Sequence, residues 1–139
     1  MKRVIVLKGN PNSGKSTILR EKLPILLGNQ INRRKIFYKE KWILIIRCSL
    51  HESKDWKSII KKIKDNNGYD IIVIASWSDE CVGFSIRTQE TLEEIFERNG
   101  ILKINYNVVN TTSETEYENQ LQDNARCAQE IFNYIQLIV

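Results

Sequence analysis

The segment Gly9-Asn10-Pro11-Asn12-Ser13-Gly14-Lys15-Ser16 follows the apolar run Val4-Ile5-Val6-Leu7 and precedes Ile18, Leu19, Leu23, Leu26 and Leu27, which recur at helical spacing. A strand, a glycine-bounded turn and a helix in that order commit the chain to a sheet covered by helices. Each fixed position of the turn has a physical reason. Gly9 and Gly14 allow torsions and close backbone approach that a Cβ would obstruct, so successive N–H groups can curl into an anion-holding nest. Lys15 adds a positive point charge, and Ser16 supplies a hydroxyl oxygen that can ligate Mg²⁺. The helix expected from Lys15 turns its positive end toward the same place. The expected ligand is a nucleoside triphosphate with Mg²⁺, its phosphates held by Gly9, Asn10, Pro11, Asn12, Ser13, Gly14, Lys15, Ser16 and Thr17.

Composition bounds what surrounds that loop. With 139 residues the chain has room for one α/β core, so residues 1–139 read as a single domain. Its 42% hydrophobic and 27% charged content is that of a globular protein. No apolar run reaches the roughly 18 residues of a membrane span, and no signal-peptide pattern precedes the first strand. The expected compartment is therefore the cytoplasm, without a membrane partner. Cys48, Cys81 and Cys127 are odd in number and form no C-x-x-C pair, which argues for reduced thiols over disulfides or zinc. The net charge of +4 draws on Arg33-Arg34-Lys35, Lys39, Lys41, Lys57, Lys61, Lys62 and Lys64. Such runs are ordinarily solvated surface, with nucleic-acid contact as the alternative.

The remaining pattern alternates β and α. Lys2 to Lys8 reads as a buried strand and Lys15 to Leu27 as a helix that Pro24 should kink or split. Ile36 to Tyr38 and Trp42 to Cys48 read as a hairpin that would add an antiparallel edge. A helix follows from about Lys54 to Asp65, with Ser53 as N-cap and Trp56, Ile59, Ile60 and Ile63 on one face. Tyr69 to Ala75 is a central strand, Ser85 to Arg98 a helix and Ile101 to Val109 a further strand. Ser113 to Ile138 is a long helix carrying Leu121, Ala125, Ala128, Ile131, Phe132 and Ile135.

On the glycine loop and this β/α order, the chain resembles the P-loop NTPase superfamily, and within it the small nucleotide-kinase-like members. The resemblance implies a three-layer α/β/α fold with a mainly parallel sheet of four to five strands, and a triphosphate at the carboxyl ends of the strands. It implies an Mg-ATP-dependent phosphotransferase acting on a small-molecule acceptor; a slow regulatory or assembly ATPase is the alternative. Lys15, Glu52 and Arg87 are the candidate catalytic residues: Lys15 on the phosphates, Glu52 or His51 orienting an acceptor hydroxyl, and Arg87 contacting phosphate from a helix start. Arg47 is a candidate for binding a substrate phosphate.

The chain also departs from the superfamily pattern. An acid usually ends the strand beside the P-loop strand, but here Ile71-Ile72-Val73-Ile74 runs into Ala75-Ser76-Trp77-Ser78 before Asp79 and Glu80. Either Ser16, phosphates and water hold the metal with Ser76 at the second position, or Asp79 or Glu80 reaches back, or the site binds nucleotide without efficient chemistry. There is no guanine signature and no arginine-rich lid. The resemblance favours ATP over GTP, with Thr111 or Thr112 as a donor to the base and capping of the last helix as the competing duty of Thr112 or Ser113.

Overall fold

The computed structural model describes residues 3–10, 13–51, 56–65, 68–78, 90–101, 106–112 and 117–139. Strands β1 (Arg3–Gly9), β2 (Lys35–Tyr38), β3 (Lys41–Ser49), β4 (Ile71–Trp77) and β5 (Tyr106–Asn110) form one sheet in the order β2-β3-β4-β1-β5. β1 runs parallel to both β4 and β5, and β3 runs parallel to β4. Only β2 is antiparallel, joined to β3 through Lys39 and Glu40, whose φ angles of 46° and 66° form a tight left-handed hairpin turn.

β1 lies inside the sheet because it is apolar on both faces: Val4, Ile5, Val6 and Leu7 are all fully buried. Ile5 and Leu7 join Ile71, Val73 and Ala75 on one face, under Ile18, Leu19, Leu23, Ala128, Ile131 and Ile135 of the helices above. Val4 and Val6 join Ile72 and Ile74 on the other face, against Ile59, Ile60, Ile63, Leu92, Ile95 and Phe96. The helices on this second face are α3 (Trp56–Lys64) and α4 (Leu92–Arg98). The sheet therefore separates two cores, and the four parallel strands end on one edge.

The first helical segment covers residues 15–26 without a break: α1 (Lys15–Thr17), a π-helical turn (Ile18–Lys22) and α2 (Leu23–Leu26). Pro24 explains the wide turn. It has no N–H to give the Arg20 carbonyl, and its ring would crowd that group in a regular helix. The Arg20 carbonyl instead accepts from the backbone N–H of Asn32 at 2.7 Å. Pro24 thus marks the expected division: the second α-helical part starts at Leu23, with Pro24 in its first turn, while the helical path runs on. Gly28, at φ 74°, then closes it.

Helix α4 starts at Leu92, where the Thr91 hydroxyl accepts from the Glu94 N–H at 3.2 Å and caps it; the part of the expected Ser85–Arg98 helix from Ser85 to Gln89 lies outside the described residues. Residues 79–89 lie outside the described residues, as do Ser53, residues 102–105 and residues 113–116. β4 extends two residues beyond the expected Ala75, to Trp77. The last helix, α5 (Tyr117–Ile138), keeps Ala128, Ile131 and Ile135 buried as expected, but Leu121 and Ala125 are exposed. Asp123 and Asn124 are buried in their place, at 7% and 2% exposure. Among the described residues no helix is long and apolar enough to cross a membrane.

Candidate functional site

The loop from Gly9 to Lys15 leaves the carboxyl end of β1, between the ends of β4 and β5. Its two glycines are needed for different reasons. A Cβ on Gly9 would stand 2.1 Å from Thr111 Oγ1 and 2.4 Å from Ser13 Oγ, so this position is set by close approach. Gly14 has φ 94°, and a Cβ there would also lie 2.2 Å from Asn124 Oδ1. The turn closes through Ser13 N–H to the Asn10 carbonyl at 3.2 Å, and the helix opens with Ile18 N–H to the Gly14 carbonyl at 3.0 Å.

Lys15 is only 7% exposed, and its ammonium donates to the carbonyls of Gly9 at 2.7 Å and Asn10 at 2.8 Å. A buried ammonium needs such acceptors. The contacts fold the side chain back along the loop. Ser78 fastens the loop to the end of β4: its N–H donates to the Gly9 carbonyl at 3.1 Å, and its hydroxyl to Asn10 Oδ1.

α5 forms the opposite wall. Asp123 accepts from the Thr112 N–H at 2.9 Å and from Arg126 at 2.7 Å, and Arg126 also donates to the Asn110 carbonyl at 2.7 Å. This clamp holds residues 110–112 to α5, and Thr111 N–H bonds the Lys8 carbonyl at 2.8 Å. Thr111 is thereby pressed against Gly9. Hydrogen bonding to Asp123 holds Arg126 above its ordinary pKa despite burial. Burial, with Asp123 beside it, pushes the Cys127 thiol up to about 12.

Among the described residues around this loop, four buried side-chain oxygens have no hydrogen-bond partner: Ser13 Oγ, Ser49 Oγ, Thr111 Oγ1 and Asn124 Oδ1. Buried polar atoms are rarely left unpaired, and here they gather in one place. A cleft of about 360 Å³ opens beside them, lined by Gly14, Lys15, Ser16, Thr17, Arg47, Ser49 and Gln120. The register of β3 on β4 slips between Ile45 and Ser49, and Arg47 stands within that irregular stretch.

The other candidates divide. Arg47 reaches the cleft. His51 does not: it is 5% exposed, accepts from the Trp77 N–H on Nδ1 at 3.3 Å, and donates from Nε2 to the Glu90 carbonyl at 2.8 Å. Both ring nitrogens are engaged, so it joins the end of β4 to residue 90 rather than orienting an acceptor. Ser76 is turned away from the loop as well. Strand alternation puts it on the α3 and α4 face with Ile72 and Ile74, where its hydroxyl donates to the Trp77 carbonyl at 3.1 Å. It is not a second metal-holding group beside Ser16. Thr112 is tied to Asp123, Arg98 to Glu90 and Arg126 to Asp123. Pro11, Asn12, Glu52, Asp79, Glu80, Cys81 and Arg87 lie outside the described residues. Cys48 is a free exposed thiol and Cys127 a free buried one.

Asn124 escaped the sequence reading, although a signal existed. Asn124, Ala128, Ile131 and Ile135 follow helical spacing, so a polar residue already stood on the buried stripe. No group of three or more His, Cys, Asp or Glu able to hold a metal occurs among the described residues. Comparisons with protein-family models, with curated proteins and with solved structures found no match to this chain.

Proposed function

We propose that the loop from Gly9 to Ser16 is a P-loop that binds the phosphates of ATP, and that the protein is an Mg-dependent phosphotransferase of the small-kinase type. One observation carries this reading. Unpartnered hydroxyls of Ser13, Ser49 and Thr111, two glycines at which a Cβ would press on neighbouring side chains, and a folded-back lysine surround a single loop at the carboxyl edge of a parallel sheet. A polyphosphate bound there would draw the Lys15 ammonium from the Gly9 and Asn10 carbonyls onto its own oxygens. The cleft beside the loop would take its terminal phosphate.

The donor set fits Mg²⁺. Ser16 and Ser49 both line the cleft, and a small hard cation bound through few protein oxygens keeps water in its remaining positions. The ion would supply charge neutralisation on the phosphates. In the transfer itself, an acceptor oxygen bonds the terminal phosphorus while the bridging P–O bond breaks, ADP leaves, and the acceptor proton passes to solvent. Arg47, on the cleft wall, is the cation best situated to hold an acceptor or the migrating group.

One observation favours the alternative of a slow ATPase. Arg98 and Arg126 are held by Glu90 and Asp123, away from the cleft, which would leave part of the positive charge to a partner. Calorimetry with Lys15→Ala tests the shared part of both readings. Losing a charged hydrogen bond of roughly 1.5–3 kcal/mol should weaken ATP binding at least about tenfold, and unchanged affinity would sink the assignment. Faster ADP release with a member of a nucleoside, nucleotide and sugar panel then separates kinase from ATPase.

A further inference from the structure

Arg47 lines the loop cleft, Arg20 meets it on Asn32 and Arg34 lines a cleft that Arg47 shares; among the described residues none of the three has a counter-charge. Arg20 Nε and Arg47 Nη1 donate to the same oxygen, Asn32 Oδ1, at 3.2 and 3.0 Å. Asn32 itself is held at φ 68°, its N–H on the Arg20 carbonyl. Burial and the nearby charges of Arg34 and Arg20 make the Arg47 guanidinium less basic than usual. Among the described residues, no carboxylate pairs with any of the three, whereas Arg98 meets Glu90 and Arg126 meets both Asp123 and Glu130.

Like charges gathered around a neutral amide repel one another, and a bound anion would remove that repulsion. Each guanidinium has five N–H donors, and Asn32 takes one from Arg20 and one from Arg47. Their planar forks match both carboxylate and phosphate. The placement is specific as well. Arg20 follows Ser16 and Thr17 by one helical turn, and Arg47 is shared between the loop cleft and a second cleft of about 260 Å³. Arg34, Leu44, Ile46 and Ile59 line that second cleft, giving it a cationic rim and an apolar wall.

We propose that Arg20, Arg34 and Arg47 form an anion subsite next to the triphosphate loop, and that the acceptor carries a phosphate or carboxylate group held there beside an apolar body. The acceptor assignment rests on the phosphotransferase reading; the subsite itself does not.

Phenyl phosphate and phenylacetate, titrated separately into the full chain by calorimetry, are suitable probes. At least one should bind, and the one that binds names the anion. Its affinity should fall at least about tenfold in both Arg47→Gln and Arg34→Gln, and stay within about twofold in Lys15→Ala. ATP affinity should behave in the opposite way, falling in Lys15→Ala and holding in Arg34→Gln. Arg47→Lys, which keeps charge without the fork, should recover only part of the loss. If Arg47→Gln does not fold, Arg34→Gln, at an exposed position, carries the test alone. Failure of both probes to bind, or binding lost in Lys15→Ala and kept in Arg34→Gln, overturns the subsite and leaves the triphosphate loop standing. Arginine-dependent probe binding in a protein that ignores ATP would do the reverse.

Discussion

Two buried polar clusters stand at the carboxyl edge of the sheet, on opposite faces, and they are built differently. On the α3 and α4 face, His51, Ser76, Trp77 and residue 90 share a closed set of bonds, and Lys8 meets Glu93 at 2.7 Å. On the α5 face, Ser13, Thr111 and Asn124 present oxygens that bond nothing. Burial is comparable in the two. The difference is completion: the first cluster is finished by the chain alone, as a structural joint should be, and the second keeps hydroxyls that are open to an outside partner.

The largest expected effect that would test this contrast is at Gly14. Gly14→Ala puts a Cβ into the left-handed region and against Asn124, for an expected loss of about 2–4 kcal/mol in urea unfolding. Adding Asn124→Ala should return part of it. A wild-type midpoint for the single variant would mean that the loop is not confined by α5.

Next comes His51→Ala, which strands the Trp77 N–H and the Glu90 carbonyl and opens a cavity, at about 2–3 kcal/mol. ATP affinity should nevertheless stay within about twofold of wild type. A tenfold fall would make the joint part of the site and erase the distinction.

The Lys8–Glu93 contact allows a pH test. Burial works against ionisation of Glu93, but the bonds from Lys8 and Tyr106 prevail and hold its carboxyl below the ordinary 4.5. With the folded pKa depressed, the contact stabilises the protein fully above pH 4.5 and is lost as pH falls through the lower folded value. Glu93→Gln should flatten the acid limb of a stability-against-pH curve, with a small effect because the side chain is 47% exposed. An unchanged acid limb would show the contact to be idle.

The smallest effect is the sharpest comparison. Ser13→Ala removes a hydroxyl that bonds nothing, so ligand-free stability should change by less than about 0.5 kcal/mol. Ser76→Ala removes a bonded one and should lose about 1 kcal/mol. Equal losses in paired unfolding curves would contradict the difference between the two faces.

Much of this was legible in the chain itself, and for local reasons. β1, the glycine turn and the helix after it are neighbours in sequence, and the all-apolar Val4 to Leu7 announced a strand buried on both sides. The hairpin at Lys39-Glu40 and the buried stripe of α3 were likewise visible in periodicity. What was hidden depends on partners far along the chain. A lone histidine in a loop gives no sign that Trp77 and residue 90 will enclose it. Asp123 and Asn124 read as polar helix surface until residues 110–112 are laid against them. Ser76 reads as a loop-facing group at a strand end, and only strand alternation with Ile72 and Ile74 shows that it faces the other core. The Thr91-x-x-Glu94 cap was in plain view, and the helical pattern continuing N-terminal to it obscured it.

The missing N–H of Pro24 has a reach out of proportion to its size. Because that proline cannot satisfy the Arg20 carbonyl, Asn32 does, and the amide so anchored is the one on which Arg20 and Arg47 meet. Replacing Pro24 with alanine would let the helix reclaim its carbonyl and release the segment after Gly28, altering which anions the protein accepts while every ligand-facing side chain stayed the same. Selectivity would then be adjustable from a residue in the middle of a helix, through the backbone alone.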